Sequence, residues 1–323
     1  MSTKLPYIRS ADELLDRAVK KTKKIQIADR DPEYKKKKEL IAKTESFFTT
    51  ITTELESYVK EFPSIEQLPR FYQEILNIQI DTNKLKQALG AVDWARKTCV
   101  NIYSKQRKAL RKTARVDFLQ QKQKEIWGRL SSVVKQIDDQ LSVLLKTYLL
   151  WTTLPEIEDA PTVVIAGYPN VGKSSLLRCL SDAKPEVAPY PFTTKEIHIG
   201  HIDRTVHYIR YRYQFIDTPG LLDRPVSEKN TIEKQAIAAL THLADVIVFI
   251  LDPSETSGYT IEDQQHLLVE ITKMFGDVPI IIVENKADMK KTSSAYLKIS
   301  CTTKEGIDEL LKKILEILNQ QND

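Results

Sequence analysis

The chain has 323 residues, of which 41% are hydrophobic and 28% charged, with a formal net charge of +4. That composition excludes a wholly disordered chain, and no apolar run approaches the ~20 residues that cross a bilayer, so no membrane-spanning segment is expected. The N-terminus shows no secretory signal pattern, and three distant cysteines (Cys99, Cys179, Cys301) suit neither a disulfide framework nor a metal cluster, so a reducing, cytoplasmic setting is expected.

The charge is unevenly spread. Residues 1–155 hold 30 Lys and Arg against 19 Asp and Glu, a net of +11, and the remainder holds 18 against 25, a net of −7. Two of the nine glycines, Gly90 and Gly128, fall in the first part. A basic, glycine-poor half and an acidic, glycine-containing half predict two domains, placed at 1–157 and 158–323.

In chain order, Ser10 and Glu13 have capping-box spacing ahead of Leu14, Leu15 and Val19, and that helix is expected to end near Asp31-Pro32. A second helix presents Phe47, Phe48, Ile51, Leu55 and Tyr58 up to Pro63. After Pro69 a single stripe runs from Phe71 through Ile75, Leu85 and Val92 to Ile102, and a last one from Ile126 to Trp151. The longer helices would reach about 45–50 Å, and a three- or four-helix antiparallel bundle is the expected packing. Trp94, Trp127 and Trp151 are expected between helices. The segment between the last two stripes holds Lys105, Arg107, Lys108, Arg111, Lys112 and Arg115 without one acid. An uncompensated run in a basic domain points to contact with a phosphate backbone, although charge alone does not separate RNA, DNA and an acidic protein.

The second half opens on a buried strand, Thr162–Ala166, running into Gly167-Tyr168-Pro169-Asn170-Val171-Gly172-Lys173-Ser174 and then, from Ser175, a helical segment. This is a phosphate-binding loop between strand and helix: the glycines let backbone amides converge on phosphate, Lys173 reaches the terminal phosphates, and Ser174 ligates magnesium. Asp217-Thr218-Pro219-Gly220 ends a strand, so that Asp217 holds magnesium through water and the Gly220 amide meets the γ-phosphate. Asn285-Lys286-Ala287-Asp288 follows another strand, and its Asp288 carboxylate pairs with the N1–H and amine of guanine, selecting GTP over ATP. Ser300-Cys301-Thr302 completes the base pocket with a backbone amide. A threonine of Pro191-Phe192-Thr193-Thr194 is expected to bind magnesium and close over the γ-phosphate. Thr194 is favoured over Thr193. A hairpin (Ile197–Asp203 with Val206–Ile216), a buried strand (Asp245–Leu251) and helices over Asn230–Leu243, Glu262–Phe275 and Lys304–Leu318 complete an α/β pattern. The fold class is thus an antiparallel helical bundle followed by a P-loop GTPase domain with a mostly parallel, doubly wound sheet.

These motifs resemble the Obg-type GTPases, on Tyr190-Pro191-Phe192-Thr193-Thr194. Glu196–His201, Leu222–Pro225, Asn230–Glu233 and Gln235–Leu240 are similar to the Nog subfamily, the nucleolar GTP-binding proteins and their archaeal relatives. The resemblance covers nearly the whole chain. It implies a switch in assembly of the large ribosomal subunit, with rRNA and ribosomal proteins as partners. Eukaryotic members continue beyond the GTPase domain, so a short, archaeal-type, monomeric protein is expected.

Where Ras-like proteins place a water-orienting glutamine, this chain has Leu221, so hydrolysis by the protein alone is expected to be slow. Asn170 matches the position that in related GTPases helps hold potassium against the phosphates. Its other reading is an ordinary loop hydrogen bond. Arg224 could act in cis but reads better as surface charge, and His198, His201 and His207 read as structural. Two further classes stay open: an RNA-binding placeholder with GTP as a structural ligand, and a signalling or membrane-associated GTPase.

Overall fold

A computed structural model describes residues 5–113, 115–190, 195–206, 208–225 and 229–320. Backbone contacts divide the chain into two compact units. One joins Ser2–Leu68 to Leu76–Thr152, and the other joins Pro69–Ile75 to Thr153–Asp323. The stretch 69–75 therefore groups with the second unit, which a single boundary at 157/158 does not anticipate.

In the helical unit, α1 (Ala11–Lys23) begins at the expected capping box, with Ser10 accepting from the Glu13 amide and Glu13 from that of Ser10. It stops well before Asp31, at a C-cap on Lys24, and Asp31 caps the next helix: its carboxylate accepts the amides of Glu33 and Tyr34, with Pro32 at the first helical position. That helix, α2, spans Pro32–Lys60. The stripe expected as one helix from Phe71 to Ile102 is cut into α3 (Arg70–Ile80) and α4 (Thr82–Lys112). At the break Asp81 takes φ 63° and turns its side chain to the Asn83 amide. Apolar periodicity runs across such a cap without recording it. The last stripe likewise divides into α5 (Val116–Gln136) and α6 (Asp138–Thr153).

The core of this unit is a continuous cluster that includes Leu14, Phe47, Ile51, Leu55, Val92, Cys99, Ile126, Leu130 and Leu141. Side-chain contacts between helices record their directions. Trp127 lies on Phe47 at 4.5 Å, while the Gln123 amide donates to Leu40 O and Thr44 Oγ1, so α2 and α5 run parallel. α4 packs on α2 in the opposite sense: Tyr103 stacks on Phe48 at 4.1 Å, while the earlier Arg96 acts on the later Glu56. α1 also runs antiparallel to α2, with Arg9 just before it bonded to Glu54 and Tyr58. The C-terminal ends of α1 and α4 and the N-terminal ends of α2 and α5 consequently meet at one end of the bundle. Of the three tryptophans, Trp127 packs as expected and Trp151 is half-buried, but Trp94 is 49% exposed on α4.

The second unit is built on a seven-stranded sheet, ordered β2-β3-β4-β1-β5-β6-β7. β1 (Thr162–Ala166), β5 (Val246–Leu251), β6 (Ile280–Glu284) and β7 (Leu297–Lys298) are parallel, and β4 (Ile209–Asp217) joins them on the other side of β1. β3 (Glu196–Val206) pairs antiparallel with β4, and β2 (Glu186–Pro189), which no sequence pattern announced, with β3. β1 and β5 are buried along their whole length, as uninterrupted β-branched runs in the middle of a parallel sheet must be. The helices are α7 (Lys173–Leu180), α8 (Thr231–Thr241), α9 (Ile261–Phe275) and α10 (Ile307–Gln320). The turn of α3 that belongs here is tied in by side chains. Phe71 is buried 6.2 Å from the Tyr190 ring, and the Tyr72 hydroxyl donates to Pro155 O and accepts from the Ile157 amide.

Candidate nucleotide site

Because β1 has β4 on one side and β5 on the other, the chain crosses in opposite directions from it, and the carboxyl ends of the strands open a crevice there. Every sequence-predicted site residue of the second half that lies within the described residues stands at or just after the end of β1, β4, β6 or β7. The loop after β1 is forced by close approach. Gly167 has φ 139°, and a Cβ there would lie 2.6 Å from Ile250 O. Gly172 has φ 108°, and its Cβ would lie 2.2 Å from Asn285 Nδ2. Between them Tyr168 rests against the Tyr259 ring at 4.3 Å, and Asn170 is exposed with φ 63°. Gly172 opens α7, whose first-turn amides at Lys173, Ser174 and Ser175 have no partner inside the helix. Lys173 is buried, and its Nζ donates to Gly167 O and Tyr168 O at 2.8 Å each. Burial lowers its pKa, while the charges of Asp217 and Asp223 oppose that fall. Such an ammonium can exchange loop carbonyls for phosphate oxygens.

Asp217, the last residue of β4, is fully buried and accepts from Ser174 Oγ at 2.5 Å. Burial raises its pKa, against the Ser174 hydrogen bond and the Lys173 charge. Its Oδ1 and the buried Thr218 Oγ1 have no hydrogen-bond partner among the described residues. Two orphaned oxygens beside a serine hydroxyl form a hard, oxygen-only donor set, the kind magnesium takes together with water and phosphate. His198 stands opposite Asp217 in the β3–β4 register, its Nδ1 3.7 Å from Asp217 Oδ2. Spacing along the chain assigns this histidine to structure or surface, and only the register places it beside the carboxylate.

Gly220 follows with φ 80°, and its amide donates to Asp223 Oδ2 at 2.7 Å. The Lys195 side chain lies close over it, within 3 Å of where a Cβ would stand. Leu221 is fully buried, so its side chain is withdrawn from the crevice. Arg224 is held by Glu233 at 2.9 Å. Lys229 is buried and donates to Arg224 O, and burial brings its pKa down to about 8. A cavity of about 430 Å³ beside the loop is lined by Tyr168, Lys195, Gly220, Asp223, Arg224 and Tyr259 among others.

On the other flank Asn285 ties the pieces together. Its Nδ2 donates to Val171 O at 2.8 Å, and its Oδ1 accepts the Cys301 amide at 3.3 Å. Asp288 is exposed and accepts from the buried Ser300 hydroxyl at 2.6 Å, which orients its carboxylate. Thr302 is exposed. Cys301 is half-buried, and burial pushes its thiol up to about 12, so it is an inert wall rather than a nucleophile. Lys286, at φ 61°, donates to Asp252 Oδ2 and to Thr256 Oγ1, both at 2.7 Å. Asp252 was missed in the sequence. It follows β5, is fully buried, and also accepts the Ser257 amide. Burial raises its pKa, but the hydrogen bonds from Lys286 and Ser254 outweigh that and leave it lowered. The available signal was an Asp-Pro step directly after a buried strand.

Thr193 and Thr194 lie outside the described residues, as does His207. Lys105, Arg107, Lys108, Arg111, Lys112 and Arg115 belong to the helical unit, where all six are exposed. Among the described residues no helix is long and apolar enough to cross a membrane.

Residues 3–158 match the model of the NOG1 N-terminal helical domain, and residues 231–288 match that of nucleolar GTP-binding protein 1. An uncharacterized protein of Methanocaldococcus jannaschii is 37% identical over 290 residues, covering 88% of this chain and 80% of that one. Nucleolar GTP-binding protein 1 of Encephalitozoon cuniculi is 31% identical over 329 residues, with coverage of 95% and 60%. That of Saccharomyces cerevisiae is 32% identical over 294 residues, with coverage of 88% and 44%. The chain thus spans about half the length of the fungal relatives it matches. Among solved structures, a Plasmodium falciparum protein assigned as nucleolar GTP-binding protein 1 aligns with TM-score 0.46 and 33% identity, covering 52% of this chain and 92% of that one.

Proposed function

The chain belongs to the nucleolar GTP-binding protein 1 family, and on that footing we propose that it binds GTP and GDP, hydrolyses GTP slowly, and acts as a nucleotide-dependent switch on the large ribosomal subunit or its precursor. The observation that carries this reading is the meeting of the Gly167–Ser175 loop, Asp217, Gly220, Asn285 and Asp288 at one crevice, held by direct bonds such as Ser174 to Asp217 and Asn285 to Val171. In this reading the loop amides and Lys173 bind the phosphates, and Asp288, aimed by Ser300, selects guanine. Ser174 and Asp217, with Thr194, would hold magnesium, which supplies charge neutralisation at the β- and γ-phosphates. The buried Leu221 orients no water, which supports slow turnover without an activator. Asn170 has no side-chain hydrogen bond among the described residues, which favours its potassium role over a loop bond. Equal turnover in potassium and sodium would remove that role.

The rRNA anchor is proposed for the basic end of the bundle. Helix directions bring the Lys20–Lys24 and Lys35–Lys38 clusters to the same end as Lys105–Arg115. Apart from Lys38, which pairs with Asp29, these lysines and arginines have no ion-pair partner among the described residues. Acids are present there too, including Asp31, Glu33 and Asp117. The excess suits phosphate contact with strong salt dependence. The protein is proposed to act as a cytoplasmic monomer. The test is co-sedimentation with ribosomal subunits in GDP and in a non-hydrolysable GTP analogue, for the wild type and for a variant with Lys105, Arg107, Lys108 and Arg111 changed to Glu. Large-subunit binding that depends on nucleotide and is lost in the variant supports the proposal. No binding in either nucleotide refutes it. If Lys173→Ala leaves the subunit normally, the placeholder reading replaces the switch.

A further inference from the structure

We propose that Asp223 sets the preference between GTP and GDP, because its carboxylate holds the Gly220 amide that the terminal phosphate of GTP must claim. The inference rests on the nucleotide-site reading above and deepens it. Gly220 N donates to Asp223 Oδ2 at 2.7 Å, a charge-assisted bond of the strong kind. The other oxygen, Oδ1, is buried and has no partner among the described residues, so the carboxylate is not held there by a network of its own.

The groups around it are those a phosphate would use. Lys173 of the phosphate loop and the buried Lys229 both feel the Asp223 charge, and the Lys195 side chain covers Gly220. Asp217 feels it as a like charge. Asp223 therefore sits as an anion in a seat whose amide and cations suit an anion. One N–H cannot serve a carboxylate and a phosphate oxygen at full strength, and two anions drawn to it repel each other. GDP has no oxygen to place there, so the competition acts against GTP alone. A turn-capping carboxylate with no such role would alter both nucleotides alike, or neither.

The test compares binding of fluorescent GDP and a fluorescent non-hydrolysable GTP analogue to the full chain and to Asp223→Asn and Asp223→Ala. Asparagine keeps an acceptor for the turn but removes the charge, so it decides the matter if the alanine variant folds poorly. The expected result is unchanged GDP affinity with analogue affinity raised about tenfold in Asp223→Asn and at least as much in Asp223→Ala. A ratio of affinities that stays constant, or falls, in the folded variants overturns the inference. Failure of the wild type to bind either nucleotide is a different outcome: it refutes the nucleotide-site reading, and this inference with it.

Discussion

Gly172→Ala tests how closely the phosphate loop is built against the base-recognition segment. The added methyl meets two penalties. At φ 108° an L-residue is strained, at a cost of about 1–2 kcal/mol. Its Cβ would also stand 2.2 Å from Asn285 Nδ2, and Asn285 is buried and bonded on both sides, to Val171 O and from the Cys301 amide. Displacing it strands buried polar groups, at about 1–3 kcal/mol. The sum, about 2–5 kcal/mol, corresponds to a fall of about 5–15 °C in the melting temperature of a unit this size. GDP affinity should drop by at least about tenfold, because the same displacement moves the loop and the base segment together. Differential scanning calorimetry and fluorescent-GDP titration read the two effects separately. A variant that melts within about 2 °C of the wild type and binds GDP within about threefold would refute the argument, since Asn285 would then have room to move.

Burial lowers Lys229 from 10.5 to about 8, so between those values the unfolded chain binds more protons than the native protein, and this group's contribution to stability rises with pH. Lys229→Met removes that contribution: its melting-temperature advantage over the wild type, or smaller deficit, should be most favourable near pH 7 and should decline toward pH 10, and a difference independent of pH would count against a lysine buried with its charge. Phe71→Ala should destabilise the nucleotide unit by about 3–5 kcal/mol, because the ring is buried beside Tyr190 rather than in the helical core. Limited proteolysis with GDP-affinity measurement tests this, and loss confined to the helical unit would contradict it.

The phosphate loop, Asp217–Gly220 and Asn285–Asp288 were legible in the sequence because each is a contiguous motif whose residues act on their own stretch of backbone. Their arrangement at one crevice followed from the alternation of strands and helices, since a parallel sheet delivers its strand ends to one edge. The helix breaks at Asp81 and Ile137 were not legible, because apolar spacing continues through both. Nor were the pairings of His198 with Asp217 and Asp252 with Lys286, where register and a buried carboxylate join residues far apart in the chain. The charge division near residue 155 came from sequence alone, but only the directions of the helices, α1 and α4 one way and α2 and α5 the other, bring three lysine and arginine clusters to one end. The residue types determined which chemistry this chain can hold. The tertiary structure decided which charges and oxygens face one another, because burial, register and helix direction are properties of packing rather than of local spacing.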